Sequence, residues 1–237
     1  MVGETHHDAG SRLRGVRFRY GRAGERDAFQ LAVDDLAIAP GEAVACIGPS
    51  GSGKTTLVHL AAGILTPEAG EVHLGGARID DLADEERRRR RALGVGLVFQ
   101  EFELLDYLSG LDNVLLPHRL AGAERERMAA ARARAAQLAR TLGIEEVLGR
   151  VPRRMSQGQR QRVAIARALV TEPSLVLCDE PTGNLDPTTA DDVLTLLLAE
   201  ARGRGAALLM VTHDHSLLAR FDRVVDVREL GSVEAGA

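Results

Sequence analysis

The sequence predicts an α/β fold in which helices cover a largely parallel sheet. Three observations support this prediction. Short runs rich in Val, Ile and Leu recur with helical stretches between them, which is typical of buried parallel strands. Two earlier stretches alternate apolar and polar residues, and the middle of the chain is dense in helix-forming residues. We therefore expect an antiparallel hairpin, a parallel core and an inserted helical lobe.

The apolar patterning places the predicted strands. Alternation over 16–20 and 29–33, with a stretch rich in Gly, Arg and Glu between them, indicates the antiparallel hairpin. The buried parallel strands are predicted at 43–47, 97–99, 175–178, 207–211 and 224–227.

The helical lobe is predicted from 112–148, which contains few strand formers. Its apolar residues at helical spacing are Met128, Ala131, Ala135, Leu138 and Leu142. We predict a single domain over 12–235, with the α/β core and its antiparallel part in 12–100 and 160–235. The helical lobe then occupies about 101–159, and the polar residues 1–11 are expected to form a flexible tail.

Length and composition narrow the class of protein. With 237 residues, 45% of them hydrophobic, the chain can bury the core of one domain. The net charge of -4 offers no basic field for a nucleic acid, and the arginine runs at 87–91 and 125–140 are expected to be solvated helix faces. No stretch has the roughly 18 uninterrupted apolar residues of a membrane span. Any membrane role must therefore come through a partner.

The two cysteines lie inside predicted buried strands. Cys46 and Cys178 belong to no CxxC or Cys/His cluster, which argues against a zinc or redox site. We expect inert core thiols and a reduced, cytoplasmic compartment.

A phosphate-binding loop is predicted directly after the strand at 43–47. The pattern G-x-x-x-x-G-K-[ST] is matched, and a helix-like stretch at 56–62 follows it. In such a loop backbone N–H groups close around phosphate oxygens, Lys54 reaches the β- and γ-phosphates, and the Thr55 hydroxyl can ligate Mg²⁺. The predicted nucleotide-binding residues here are Gly48, Pro49, Ser50, Gly51, Ser52, Gly53, Lys54, Thr55 and Thr56.

Two adjacent carboxylates follow the strand at 175–178. In a phosphate-loop site the first acid, Asp179, supports Mg²⁺. The second, Glu180, is then placed to polarise the attacking water as a general base. In isolation the same pair would read as an exposed turn before Pro181.

A third motif separates this chain from other phosphate-loop proteins. Met155 and the four residues after it read MSQGQ, and RQRVAIARAL follows. Ser156 and Gln159 have capping-box spacing, so a second helix N-terminus can bind an anion. Together with the earlier motifs, this segment resembles the ABC ATPase family, whose signature is LSGGQ followed by QRVAIARAL. The sequence departs from that signature at Met155 and at Gln157, where the larger side chain could alter hydrolysis or nucleotide affinity.

The resemblance implies a fold and a set of ligands. The fold is that of a P-loop NTPase, with a RecA-like parallel-sheet core, an N-terminal antiparallel β subdomain and an inserted α-helical subdomain. The ligands are ATP and Mg²⁺, bound between two copies of the chain arranged head to tail. The signature residues, which would contact the γ-phosphate held by the other copy, are Ser156, Gln157, Gly158 and Gln159.

The resemblance also implies roles for isolated residues. Tyr20 would stack on adenine, although a surface position on the hairpin is the alternative. Gln100 would sense Mg²⁺ and water and link the site to a membrane partner. Asp186 would cross the dimer interface, and His213 would contact the γ-phosphate and orient the water, with Glu180 and Lys54 completing the catalytic set.

Within the family, three segments look most like the lipoprotein-release and macrolide-export branch. They are VFQEFELL at 98–105, LDNVLLP at 111–117 and EPTGNLD at 180–186. This implies an ATP-hydrolysing subunit that energises a separate integral-membrane permease from the cytoplasmic face of the cell membrane. The candidates for the groove that accepts the permease are Phe99, Phe102, Leu104 and Leu105.

Two alternatives stay open at this stage. A division-type or envelope-signalling ATPase would share the motifs without transporting anything. A soluble ABC protein acting on nucleic acid or ribosomes is disfavoured, because such proteins carry long coiled coils or two fused cassettes.

Overall fold

The computed structural model describes residues 10–21, 29–183, 185 and 187–235. They form two five-stranded sheets with helices around them. This confirms the predicted α/β architecture with an antiparallel sheet, a parallel sheet and a helical insertion.

The first sheet is antiparallel and has the order β10-β2-β1-β4-β5. The predicted hairpin is confirmed, since Val16 faces Val33 and Tyr20 faces Phe29 across its two strands, while the residues joining them lie outside the described ranges. The strands are β1 (Ser11–Tyr20), β2 (Phe29–Ile38), β4 (Ala69–Leu74), β5 (Ala77–Arg78) and β10 (Val233–Ala235).

The boundary of the predicted tail needs a correction. Ser11 is already part of β1, where it pairs with Ile38 on one side and Leu74 on the other. Its side chain is fully buried. Polarity alone therefore misplaced the boundary, because a polar residue that lies between two strands can be held by backbone pairing.

The second sheet is parallel and has the order β6-β7-β8-β3-β9. Its strands are β3 (Ala43–Ile47), β6 (Val95–Phe99), β7 (Leu175–Asp179), β8 (Ala207–Val211) and β9 (Arg223–Asp226). The bounds of β3 and β8 coincide with the prediction. Cys46 and Cys178 are fully buried in this sheet. Burial raises the pKa of the Cys46 thiol to about 12 and also raises the pKa of Cys178.

Helices cover the parallel sheet and build the lobe between β6 and β7. They are α1 (Lys54–Ala61), α2 (Asp84–Gly94), α3 (Gly110–Val114), α4 (Leu116–Leu120), α5 (Arg125–Leu142), α6 (Gln157–Leu169) and α7 (Pro187–Gly203). Short 3₁₀ turns lie at Glu145–Val147, Pro152–Arg154, His215–Arg220 and Val227–Glu229. No helix within the described ranges combines the length and the apolarity that crossing a bilayer requires.

The predicted boundary between residues 159 and 160 falls inside α6. This helix packs against β6 in the core and against α3 and α5 in the lobe. Gly96 of β6 lies so close to it that an added Cβ would come within 2.3 Å of the Ala168 carbonyl oxygen. The helical lobe and the α/β core therefore share this helix.

The arginine runs are only partly solvated. In α2, Arg87 and Arg88 pair with Asp84 at the start of the helix, as local ion pairing predicts. In α5, Arg134 departs from the prediction because only 8% of its side chain is exposed, and its Nη2 lies 2.7 Å from Glu200 Oε2 of α7. This ion pair links the lobe to the core.

Candidate nucleotide site

The functional motifs converge at the carboxyl ends of the parallel strands, where ligands bind in open α/β sheets. The phosphate loop follows β3, Gln100 follows β6, Asp179 ends β7, and His213 comes two residues after β8. Together with the hairpin they enclose a cavity of about 570 Å³. It is lined by Tyr20, Phe29, Gly48, Ser50, Gly51, Gly53, Lys54, Thr55, Thr56, Gln100, Asp179, Glu180 and His213.

The loop backbone explains why glycine stands at two of its positions. Gly48 lies so close to Ser52 that an added Cβ would come within 2.7 Å of the Ser52 hydroxyl. Gly53 has a φ of 91° at the N-cap of α1, a conformation that disfavours other residues. The loop is thus held tightly against the start of the helix.

Lys54 already lies across the loop. Its Nζ donates hydrogen bonds to the carbonyl oxygens of Gly48 at 2.9 Å and Pro49 at 2.8 Å. The ammonium is therefore fixed inside the ring of loop atoms, where it can meet phosphate oxygens. Two loop residues, Pro49 and Ser52, do not line the cavity. Pro49 contributes the carbonyl oxygen that accepts from Lys54, and Ser52 contributes a buried hydroxyl close to Gly48.

The N-terminus of α1 is open to an anion. No side chain caps it, and its first turn contains no acidic residue. The first backbone N–H groups of the helix lack intrahelical partners, and the helix dipole places partial positive charge there. A phosphate can satisfy both.

Glu180 stands in an unusual backbone conformation beside His213. Its φ is 48°, and its N–H donates to the Val211 carbonyl oxygen at 3.0 Å. Its Oε2 lies 3.1 Å from His213 Nδ1, and 23% of the glutamate side chain is exposed. The carboxylate and the imidazole can therefore act on one small reactant, such as a water molecule, at the rim of the cavity.

The oxygen donors in the cavity fit Mg²⁺. The hydroxyl of Thr55, the carboxylate of Asp179 and the amide of Gln100 all line it. Within the described ranges no cluster of three or more His, Cys, Asp or Glu residues could hold a metal ion alone. Mg²⁺ is commonly bound by one or two protein oxygens together with substrate phosphates and water, and these three donors suit that mode.

Two aromatic residues lie at the hairpin end of the cavity. Tyr20 is 42% exposed, and its ring contacts Phe18 edge-on at 4.7 Å between centroids. The Phe29 ring lies 6.2 Å from that of Tyr20 and packs against Gly53 of the phosphate loop. Sequence reasoning missed Phe29 as a site residue. The hairpin register could have revealed it, because it places Phe29 directly opposite Tyr20.

The signature motif lies at a second cavity, of about 470 Å³. This cavity is lined by Gly143, Ser156, Gln157, Gly158, Gln159, Arg162, Leu185 and Thr189. In the described part of the chain, none of the four signature residues lines the first cavity. One chain therefore presents the two predicted phosphate-binding elements at separate places. Asp186, predicted to cross a dimer interface, lies outside the described residues.

The capping box of α6 forms as the spacing predicted. Ser156 Oγ accepts from the Gln159 N–H at 3.2 Å, and Gln159 Oε1 accepts from the Ser156 N–H at 3.0 Å. Gln157 is the exposed first residue of the helix and is not among the residues with positive φ. The backbone at this position does not need glycine. At Gly158, the nearest atom to an added Cβ is a Thr189 methyl at 3.6 Å, so a side chain here would meet only an ordinary contact within one chain.

Comparison with known proteins agrees with this geometry. The family model described as ABC transporter matches residues 31–183. The lipoprotein-releasing system ATP-binding protein LolD 1 of Rhodospirillum rubrum is 45% identical over 195 residues, which cover 82% of this chain and 85% of that protein. LolD of Xanthomonas campestris pv. campestris is 40% identical over 232 residues, covering 97% of this chain and 95% of the relative.

A solved structure shares the whole fold. The dimeric ATP-binding cassette MJ0796, in a post-hydrolysis state bound to ADP and Pi, superimposes with a TM-score of 0.80 and 31% sequence identity. The match covers 96% of this chain and 99% of the cassette.

These findings define the class of protein. The chain belongs to the ABC transporter family of ATPases, with the P-loop ABC fold that the motifs predicted. Within that family it falls in the LolD branch. It binds and hydrolyses ATP as a subunit of a transporter-type complex.

Proposed function

We propose that two copies of this chain close head to tail on two ATP molecules and thereby drive a separate permease. The observation that carries the proposal is the separation of the phosphate loop from the signature helix. The start of α1 has no side-chain cap, the start of α6 lies at the second cavity, and one chain does not bring the two together. A second copy arranged with two-fold symmetry would place the signature of each chain over the loop of the other.

The first half of each site would come from one chain. Lys54 and the loop N–H groups bind the phosphates, while Thr55, Asp179 and Gln100 would hold Mg²⁺, which would supply positive charge beside the phosphates. Glu180 accepts a proton from the attacking water, and His213 orients the water and the γ-phosphate. Tyr20 stacks on the adenine ring of ATP, and Phe29 lies next to Tyr20.

The other half would come from the second copy. Ser156 supplies its hydroxyl and the start of α6 supplies N–H groups to the γ-phosphate, with Gln159 fixing the cap. Gly158, which carries no side chain, allows close approach, and Asp186 crosses the interface. The dimeric state of MJ0796 supports this arrangement.

The permease would dock in a groove between the helical lobe and the core. The groove has a volume of about 960 Å³, and its floor carries apolar residues of β6 and α4. Of the four candidates, Phe99 lines it, whereas the buried Phe102 and the neighbouring Leu104 and Leu105 do not. Relatives named for lipoprotein release favour a permease that extracts a lipid-anchored cargo, with this chain at the cytoplasmic face of the membrane.

Replacement of Glu180 with Gln tests the proposal. The amide cannot accept the proton, so we expect ATP binding to persist while hydrolysis falls by about 100-fold or more. ATP should then trap a dimer that size-exclusion chromatography detects. The control is Glu146→Gln, the same change at an exposed residue that lines neither cavity. Wild-type turnover by Glu180→Gln, or the absence of a nucleotide-dependent dimer, would contradict the proposal.

A further inference from the structure

The turn that follows β6 has an uncommon backbone. Phe102 has a φ of 66° and Glu103 a φ of 48°, so two consecutive residues with side chains lie in the left-handed region. This region is disfavoured for residues other than glycine, and it is usually adopted by single residues rather than by two in a row. Something outside the turn must stabilise it.

Arg167 supplies that stabilisation from α6. Its Nη2 donates to the Phe102 carbonyl oxygen at 2.8 Å, and its Nη1 donates to the Glu103 carbonyl oxygen. Two helical turns earlier, the Arg160 guanidinium lies 5.7 Å from the centre of the Phe102 ring. Two separate nitrogens of the planar Arg167 guanidinium each donate to one of the two carbonyl groups, a fixed fork that the single nitrogen of a lysine does not reproduce.

The surroundings of Arg167 fix the orientation of its guanidinium. Burial lowers the pKa of its guanidinium, and the nearby Glu103 carboxylate acts in the opposite direction. Its hydrogen bonds go to the two carbonyl oxygens, so its orientation is set by the turn. The side chain is partly buried, and its charge-assisted hydrogen bonds satisfy both carbonyl groups of the strained turn.

The position of the turn gives this contact a function. Gln100 lies two residues before Phe102 and lines the nucleotide cavity, whereas α6 begins at the capping Ser156 of the second cavity. Arg167 and Glu103 also form part of the wall of the large groove. Arg167 therefore joins the helix that begins at the second cavity to the turn that follows Gln100, and it also lines the large groove.

We propose that Arg167 is a positioning residue for ATP hydrolysis, which holds the turn at Phe102 and Glu103 so that Gln100 stays oriented in the nucleotide cavity. It also ties this turn to the signature helix, so that a helix seated in the groove acts on both at once. The inference rests on the proposed function, because Gln100 is assigned its role there.

The test is a pair of substitutions and a rescue in the full-length chain. Arg167→Met should lower kcat by about tenfold or more, since small displacements of positioning groups have large effects on rate, with the Kd for a fluorescent ATP analogue changed less than about twofold. Glu103→Gly removes the penalty of the left-handed backbone at an exposed residue. Combined with Arg167→Met, it should recover part of the lost kcat.

Controls separate positioning from general destabilisation. Arg140→Met makes the same charge change at an exposed residue of α5 and should leave kcat unchanged. Arg167→Lys keeps the charge and the apolar stem, so it serves if Arg167→Met folds poorly. It should also lower kcat, because one ammonium nitrogen on a shorter side chain does not reproduce the two separated donors of the guanidinium. The thermal unfolding transition of each variant is measured to show that the kcat values come from folded protein.

Three outcomes would overturn the inference. They are wild-type kcat in a folded Arg167→Met or Arg167→Lys variant, equal losses in kcat and nucleotide affinity, and no rescue by Glu103→Gly. Absence of an ATP-trapped dimer in Glu180→Gln would instead contradict the proposed function, so the two failures are distinguishable.

Discussion

At the scale of single residues, Glu180 has a strained backbone at the place where the chemistry is expected. Glu180 is held with a positive φ, which costs about 1–3 kcal/mol for a residue with a side chain. Backbone hydrogen bonds on both sides offset this, since its N–H donates to Val211 and its carbonyl oxygen accepts from Gly183. The result is a carboxylate turned toward His213 at the end of a buried strand. Composition and periodicity do not report such a conformation.

Gln157 is the residue at which this chain differs most from the family signature. Its side chain is exposed and its backbone is helical without glycine, so we expect Gln157→Gly to be nearly neutral. Exposed substitutions usually change the free energy of unfolding by no more than about 0.5 kcal/mol. A change of the same size in the activation free energy would alter the ATPase rate by about twofold. Steady-state ATPase assays on the full-length protein measure this directly.

The reverse change at the next position is the matched control. Gly158→Gln is tolerated within one chain, because the nearest atom to its Cβ would be at ordinary contact distance. It should nevertheless abolish hydrolysis by filling the face that a second copy must approach. A change of more than about tenfold in Gln157→Gly, equivalent to 1.4 kcal/mol, would show that Gln157 itself shapes the site.

At the scale of elements, α6 connects more of the site than any motif on it suggests. Ser156 begins it, Arg160 and Arg167 hold the turn after β6, and Gln161 donates to the Pro181 carbonyl oxygen at 2.6 Å. Pro181 follows the catalytic candidate Glu180 directly. Movement of this helix would therefore shift Gln100 and the carboxylates of Asp179 and Glu180 together.

The two roles of Ser156, as helix cap and as phosphate ligand, can be separated by substitution. Ser156→Ala removes the capping oxygen and should lower the free energy of unfolding by about 1 kcal/mol. Ser156→Asp keeps an acceptor and adds a charge that the helix dipole favours, so the fold should be at least as stable. The added charge would repel a γ-phosphate, and ATP should no longer trap the dimer in a Glu180→Gln background.

Denaturant unfolding and size-exclusion chromatography supply the two readouts. Ser109 caps α3 by accepting from the Asp112 N–H, so Ser109→Ala is the matched control for loss of a cap. It should be destabilised without any loss of the trapped dimer. If Ser156→Asp dimerises normally, Ser156 is a cap and nothing more.

The elements also show how far the sequence predicts the structure. The strands β3 and β8 were located at both ends because every residue in each is apolar and nearly all are fully buried. The strand β4 was not predicted, since it begins with exposed Ala69 and has Gly, Glu and His among its residues, so its place depends on pairing with β1. Polar strands of this kind are specified by their neighbours rather than by their own pattern.

The same division holds within the site. The loop, the carboxylate pair and the capping box were predicted because each uses a fixed local spacing. Phe29 and Arg167 were missed as site residues, because their roles depend on contacts with Gly53 and with the turn at Phe102. Asp186 remains a prediction.

At the scale of the whole molecule, the proposed dimer makes each site depend on two chains. If the interface has two-fold symmetry, both sites pair the loop of one copy with the signature of the other. A chain that is damaged in only one half then spoils one of the two sites, and its intact half can still complete the other site. This property distinguishes a composite site from one completed within a single chain.

Mixing two inactive variants tests this property. Lys54→Met damages the loop half, and Ser156→Asp damages the signature half, so a mixed dimer keeps one site with both halves intact. For random pairing of equal amounts, about half of the dimers are mixed and the ATPase rate should recover to about a quarter of the wild-type rate. The control pair, Lys54→Met with Glu180→Gln, damages the same half in both chains and should recover nothing. Recovery by the control pair, or none by the first pair, would mean that the phosphate loop is not completed by the signature of another copy.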